Sequence, residues 1–232
     1  MSLPSAIHDL PVTGEQDGRE LTIHPSAVET ERGLLLLDAG LPGQLDALRA
    51  ALDDVEWGLG DVESLLVTHR DGDHAGGVAA LSDAVADETG DRPRTFAHPD
   101  AAPYLDGRRE PDAGRHYEPF PIDVEVTDGT TFRTEAGPLR LLHTPGHSPG
   151  HLSAYAPEER TLISADALTA RDGLAGPPPE FSLDMREATA SVGRLADLRI
   201  RRVLTYHGGL VSVESGAVER IYDDLAAEHD VS

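Results

Sequence analysis

The sequence predicts an α/β fold, a single domain over residues 1–232 made of two halves. Three observations carry that reading. Short apolar runs of strand length alternate with stretches whose apolar residues recur at helical spacing. Strands cluster in each half with helices between them, and no linker divides the halves. At 232 residues the chain lies within the usual range for one domain, about 50–250 residues.

"GLLLLDAG" (Gly33 to Gly40) reads as a buried strand ending at Asp38 and a glycine turn. In "LPGQLDALRAALDDVEW" the residues Leu45, Leu48, Leu52 and Val55 share one helical face. "ESLLVTH" (Glu63 to His69) is a second short strand, and "HAGGVAALSDAVADE", from His74 onward, reads as a helix. "RTFAHPDAAPYL" gives a strand running into a short helix, and the Pro- and charge-rich stretch from Asp106 to Asp123 a surface loop. Two strands, near "VEVTD" and "PLRLLHT", lead into "HTPGHSPGH"; "HLSAYAPEERTLISADAL" is a hairpin turning at "PEER". Gly173 to Phe181 is irregular, because three successive prolines fix φ and remove N–H donors. A helix from about Asp184 to Leu198, a strand "RRVLTYH" and a helix from about Glu214 to Glu228 follow.

Composition narrows the chemistry. Acidic residues number 42 against 19 basic ones, all of them Arg, for a net charge of −23. Such a field repels phosphate backbones and anionic lipid, so the expected partner is a small molecule, not nucleic acid or a membrane surface. The charge suits a halophilic, saline cytoplasm, where the Debye length shrinks to about 3 Å at 1 M salt. It leaves the oligomeric state open. With no cysteine, disulfides, thiolate nucleophiles and thiolate metal sites are excluded, and any metal must sit on His, Asp or Glu. The opening "MSLPSAIHDLPV" has neither a basic nor an apolar signal region, and no apolar run reaches membrane-span length, so a cytoplasmic location is expected.

"THRDGDHAGG" (Thr68 to Gly77) crowds His69, Asp71, Asp73 and His74 into a loop between a strand and a helix. The first three alternate and in an extended loop point one way, while Gly72, Gly76 and Gly77 let the backbone bend close to an ion. Taken alone, the segment reads equally as a solvated turn. "HTPGHSPGH" offers His143, His147 and His151 at i, i+4 and i+8, with Pro145 and Pro149 preventing a regular helix. "LISADAL" leaves Asp166 at the end of an apolar strand, where a lone carboxylate is costly unless paired or metal-bound. "VLTYHGG" does the same with His207, which by itself reads as an ordinary satisfied histidine. Four polar motifs each ending an apolar strand point to a metal centre.

From "LLLLDAG" through "THRDGDHAGG", "HTPGHSPGH", "SADAL" and "YHGG", in that order, the sequence resembles the metallo-β-lactamase superfamily. The resemblance implies a four-layer αββα sandwich of two mixed β-sheets flanked by helices. It implies two divalent metal ions, one on His69, Asp71 and His147, the other on Asp73, His74 and His207, with Asp166 bridging them. By the same resemblance Asp38 supports the motif loop, and His98 matches a recurrent histidine outside the metal set. His143 and His151 read as structural.

The family pattern is HxHxDH, and this chain has HxDxDH. Neither Arg70 nor Gly72 can ligate, so a shift of register does not restore the usual histidine. Three aspartates and a bridging hydroxide carry four negative charges and neutralise two divalent ions, where the usual set leaves one positive charge. Zinc (Zn2+) is the expected metal, with Fe2+ or Mn2+ favoured by the extra carboxylate. The implied reaction is hydrolysis of a small ester, thioester or lactone by a metal-bound hydroxide, with Asp73 orienting the nucleophile or shuttling its proton. Tyr206 is expected to pack in the core rather than face the pocket. Specificity is expected in the loops Asp106 to Asp123 and Gly173 to Phe181. The alternatives are a persulfide dioxygenase-like enzyme with one iron on His69, His147 and Asp166, or a degenerate, non-catalytic member.

Overall fold

The structure, a computed structural model, describes residues 2–16, 18–110 and 117–231. The first half runs β1 (Ile7–Asp9), β2 (Val12–Gln16), β3 (Arg19–Ile23), β4 (Ser26–Thr30), β5 (Gly33–Leu37), α1 (Leu45–Asp53), β6 (Val62–Leu66), α2 (Gly72–Ala75), α3 (Val78–Thr89), β7 (Arg94–Ala97), α4 (Ala102–Leu105) and β8 (Val124–Glu125). The second runs β9 (Thr131–Thr134), β10 (Gly137–His143), β11 (Leu152–Ala156), β12 (Thr161–Ala165), α5 (Met185–Ala196), β13 (Arg202–Thr205), β14 (Gly209–Ser212) and α6 (Ala217–His229). Among the described residues these form two 6-stranded mixed sheets, ordered β1-β4-β5-β6-β7-β8 and β14-β13-β12-β11-β10-β9, beside a β2–β3 ribbon.

The alternation of side chains along each strand produces the layers. In β5, Leu34 and Leu36 pack with Leu48 and Leu52 of α1 and Leu81 and Val85 of α3. Leu35 and Leu37 point the other way, into a cluster with Leu139, Leu141 and Ile163 of the second sheet. On that sheet's far side, Leu162 and Val203 meet Val192 and Leu195 of α5 and Val218 of α6. The order is helix, sheet, sheet, helix, the sandwich the resemblance implies. Each half contains one common unit: an antiparallel hairpin (β4–β5, β11–β12), a crossover helix (α1, α5) and a strand parallel to the hairpin's second strand (β6, β13).

Several elements differ from the sequence reading. The helix expected from His74 is two pieces, α2 and α3, separated at Gly76 and Gly77. A Cβ on Gly76 would lie 2.4 Å from Pro42 Cδ, and one on Gly77 2.1 Å from the Ala39 carbonyl oxygen. The loop after Asp38 therefore packs on bare backbone there. The triple proline ends in a 3₁₀ turn, Pro179–Phe181. Within the expected loop from Asp106 to Asp123, residues 111–116 lie outside the described residues; beyond them Phe120 is buried, with Tyr117 and Ile122 packed against the same core. Strands β1 to β4, β9 and β14 were not legible, because most mix polar residues with apolar ones instead of forming apolar runs. Among the described residues, no helix is long and apolar enough to cross a membrane.

Candidate metal centre

The site is built outward from Asp38, the residue after β5, whose φ of 65° lies in the left-handed region. Its buried carboxylate accepts hydrogen bonds from Thr68 N (2.8 Å), Thr68 Oγ1 (2.6 Å) and His74 Nδ1 (2.7 Å). A carboxylate only accepts, so His74 carries its proton on Nδ1 and turns Nε2 toward the cavity. The Thr68 hydroxyl has given its one proton to Asp38. Its 3.1 Å contact with His69 Nδ1 is then donated by the imidazole, which leaves the His69 Nε2 lone pair facing inward. One carboxylate and one hydroxyl thus set two rings.

His69 Nε2 lies 3.2 Å from His147 Nε2. Asp71 Oδ2 completes the group, 3.8 Å from His69 Nε2 and 3.4 Å from His147 Nε2. A tetrahedral ion with ligand bonds of 2.0–2.1 Å needs donor atoms about 3.3 Å apart. The three edges approach that value. His147 rides on a loop pinned to α5: at Gly146, φ is 122°, and a Cβ would sit 2.1 Å from Ala188 N. Leu183 N donates to the His147 carbonyl at 3.3 Å, and Asp184 N to that of Gly146 at 2.8 Å.

A second group combines Asp73, His74 and His207. His207 Nε2 is 3.3 Å from Asp73 Oδ2, and His74 Nε2 is 4.0 Å from the same oxygen. Asp166 stands between the groups, with Oδ1 3.3 Å from His74 Nε2 and Oδ2 3.4 Å and 3.6 Å from the Nε2 atoms of His207 and His147. His74 Nε2 and Asp166 Oδ1 are buried, and their mutual contact lacks the geometry of a sound hydrogen bond. Buried polar atoms are rarely left so, and an ion would satisfy both. The donor set fits two divalent cations.

Asp166 is aimed by its surroundings. It follows Ala165, whose φ is 45°, and its N–H donates to His151 Nε2 at 3.1 Å. His151 Nδ1 therefore donates to Thr144 Oγ1 (2.8 Å), and burial pushes the ring down to about 3, so it stays neutral. His151 is structural, as expected. His143 stacks on His98, centroids 4.0 Å apart, outside the centre. Tyr206 is buried, stacks on His74 at 3.6 Å and donates its hydroxyl to the Asp73 carbonyl, as a core residue would.

The electrostatics set burial against a cluster of opposite charges. Burial opposes the charged forms of His74 and His207, yet Asp166 and the other carboxylates raise both above the ordinary histidine value. Burial, then His74 and His147, hold His69 well below that value. Burial works against ionised Asp73 and Asp166, but His74 and His207 draw both below the ordinary carboxylate range. Asp73 and Asp166 stand here as anions, a field suited to cations.

A cavity of ≈ 190 Å³ opens over the centre, lined also by buried Leu168 and by the more exposed Arg171, Pro178 and Phe181. The sequence reading named the loop but missed Arg171; its one visible signal was a lone cation just after "SADAL" in an acidic chain. A larger hollow of ≈ 450 Å³, lined by Arg160, Arg199 and Arg201 among others, holds none of the seven candidate ligands.

Two mixed sheets between helices, with histidines and aspartates gathered beyond their strand ends, define a metallohydrolase. The chain belongs to the metallo-beta-lactamase superfamily, which it matches over residues 19–207. Among relatives it is 29% identical over 199 residues to "Probable metallo-hydrolase YybB" of Bacillus subtilis, covering 81% of this chain and 81% of that one. It is 26% identical over 195 residues to "Atrochrysone carboxyl ACP thioesterase" of Claviceps purpurea, covering 84% of this chain and 51% of that protein. The chain thus spans about half the length of some relatives it matches, including 52% of a beta-lactamase-like protein 2 homolog of Caenorhabditis elegans. A metallo-beta-lactamase family protein of Thermus thermophilus shares the fold, with a TM-score of 0.75 at 24% identity over 99% of this chain and 81% of that one.

Proposed function

We propose that the chain hydrolyses a small ester, thioester or lactone at a two-metal centre. His69, Asp71 and His147 would hold one ion and Asp73, His74 and His207 the other, with Asp166 within reach of both and residues 1–232 acting as one domain. The observation that carries this reading is the convergence of seven side chains around buried His74 Nε2 and Asp166 Oδ1, which meet at 3.3 Å without a well-directed hydrogen bond. Divalent ions held there supply Lewis acidity toward a carbonyl oxygen and acidify water. Asp73, kept ionised by its histidine neighbours, accepts a hydrogen bond from the attacking water and orients it. Buried His69 and His147 close the floor against bulk solvent. Zinc is the metal proposed, although Asp71 in place of a nitrogen ligand moves the site toward Fe2+ and Mn2+.

The substrate is a small molecule, since a net charge of −23 opposes nucleic acid and anionic membranes. Elemental mass spectrometry on protein purified at high salt without a metal-affinity column, joined to a panel of esters, thioesters and lactones, tests the reading. Two zinc ions per chain and turnover support it. One iron per chain, with oxygen uptake on persulfides, replaces it with the mononuclear oxygenase.

A further inference from the structure

Histidines apart, Arg171 is the one cation among the described residues lining the cavity, which also holds Asp71, Asp73 and Asp166. Backbone bonds build its position. Thr169 N donates to the Ala175 carbonyl at 3.0 Å and Ala175 N returns the bond at 2.9 Å, so Arg171 sits near the tip of a short loop. Ala170 N (2.8 Å) and Thr169 Oγ1 (3.1 Å) tie that loop to the His207 carbonyl. The guanidinium turns inward, Nη2 3.0 Å from His207 Nδ1. Although acids outnumber bases 42 to 19, no carboxylate among the described residues pairs with it. Arginine only donates, so a His207 that ligates through Nε2 and carries its proton on Nδ1 cannot accept from it, which leaves the five-donor guanidinium available to a ligand at the cavity.

Pro178 and Phe181 line the same cavity, and Phe181, 59% exposed, is one of three exposed large apolar side chains among the described residues. Burying such a side chain is worth roughly 1.5–3 kcal/mol, which exposure forgoes. The loop is not slack: Phe181 N donates to Pro178 O at 3.2 Å, and the next turn is tied to the His147 loop. The ring is held open to solvent beside the centre.

We propose that the substrate's acyl part is short and apolar and ends in a carboxylate, which pairs with Arg171 while the carbons lie on Phe181 and Pro178. The inference rests on the hydrolytic reading. A cavity of ≈ 190 Å³ that also has to hold the two ions suits a short acyl part of a few carbons. Water adds across the acyl bond: the C–O or C–S bond breaks, a C–O bond to water forms, and one water proton leaves with the alcohol or thiol. The product is a dicarboxylate.

The test compares the 4-nitrophenyl esters of butanoic acid and of succinic acid (the half-ester), with spontaneous hydrolysis subtracted. Zinc-loaded wild type, Arg171→Gln and Arg171→Lys are matched in metal content by elemental analysis, because Arg171 touches His207. Wild type is expected to favour the half-ester through KM. Arg171→Gln lowers that preference roughly ten- to a hundredfold, the range for a hydrogen bond to a charged group, and Arg171→Lys restores part of it. Calorimetric binding of succinate against butanoate to the same proteins reads Arg171 without turnover. An unchanged preference in Arg171→Gln, or none in wild type, overturns the proposal. If neither ester is cleaved, the hydrolytic reading fails and the succinate titration alone decides the role of Arg171.

Discussion

Asp38 touches no substrate position, yet two imidazoles depend on it. In Asp38→Asn an amide NH₂ replaces one acceptor oxygen, so at least one of the donors from Thr68 and His74 loses its partner. The expected cost is about 1–3 kcal/mol in urea unfolding. Loss of ring orientation should also weaken zinc binding by roughly 10–100-fold, read by chelator competition. Zinc affinity equal to wild type would refute the network. Asp71→His should shift metal preference from manganese and iron toward zinc, measured by competitive loading and elemental analysis. At this scale the four polar motifs were legible, because each ends an apolar strand, where a buried polar group needs a reason, whereas the choice of seven candidate ligands among them came from the family resemblance. Thr68 and Arg171 were not, since their roles arise from neighbours 30 or more positions away in sequence, Asp38 and His207.

The loop carrying His147 is only as well placed as its contact with α5. Gly146→Ala forces a Cβ into Ala188 at a left-handed φ. A loss of at least about 1–3 kcal/mol, the usual cost of overpacking, should accompany a fall in metal per chain. Gly72→Ala, where nothing lies within 4 Å of the added Cβ, should stay within about 0.5 kcal/mol of wild type in the same unfolding assay. Beside β7, Arg92 grips Asp123, which also accepts from Thr95, and the Asp123 carboxyl is held at about 2, below its ordinary 3.8. The folded value lies below the unfolded one, so the contribution is complete above about pH 4 and is lost as the pH falls through about 2. Asp123 is partly exposed, so Asp123→Asn should flatten the acid limb of a urea-midpoint profile by less than about 1 kcal/mol. Continuous apolar runs such as β5 and β12 were readable in advance. Short mixed-polarity strands such as β9 were not, because their pairing partners decide them.

The whole molecule carries its negative charge against itself. Melting temperature should rise from 0.1 M toward roughly 2 M KCl as screening shortens the range of repulsion; a flat or falling curve would remove the saline-cytoplasm reading of the composition. The clustering of strands into two sets was visible in the alternation of elements, but their likeness was not. It emerges only when the hairpin, crossover helix and parallel strand are seen in both sheets. In each, the hairpin's second strand ends in an aspartate at a left-handed turn, with φ of 65° at Asp38 and 45° at Ala165 just before Asp166. In each, the parallel strand leads to a histidine, His69 in one and His207 in the other. The chain holds duplicate parts with a division of labour: one aspartate is walled in as a prop, and its counterpart is turned out to face the opening. Such a molecule can vary the exposed copy and its loop while the enclosed copy keeps the frame.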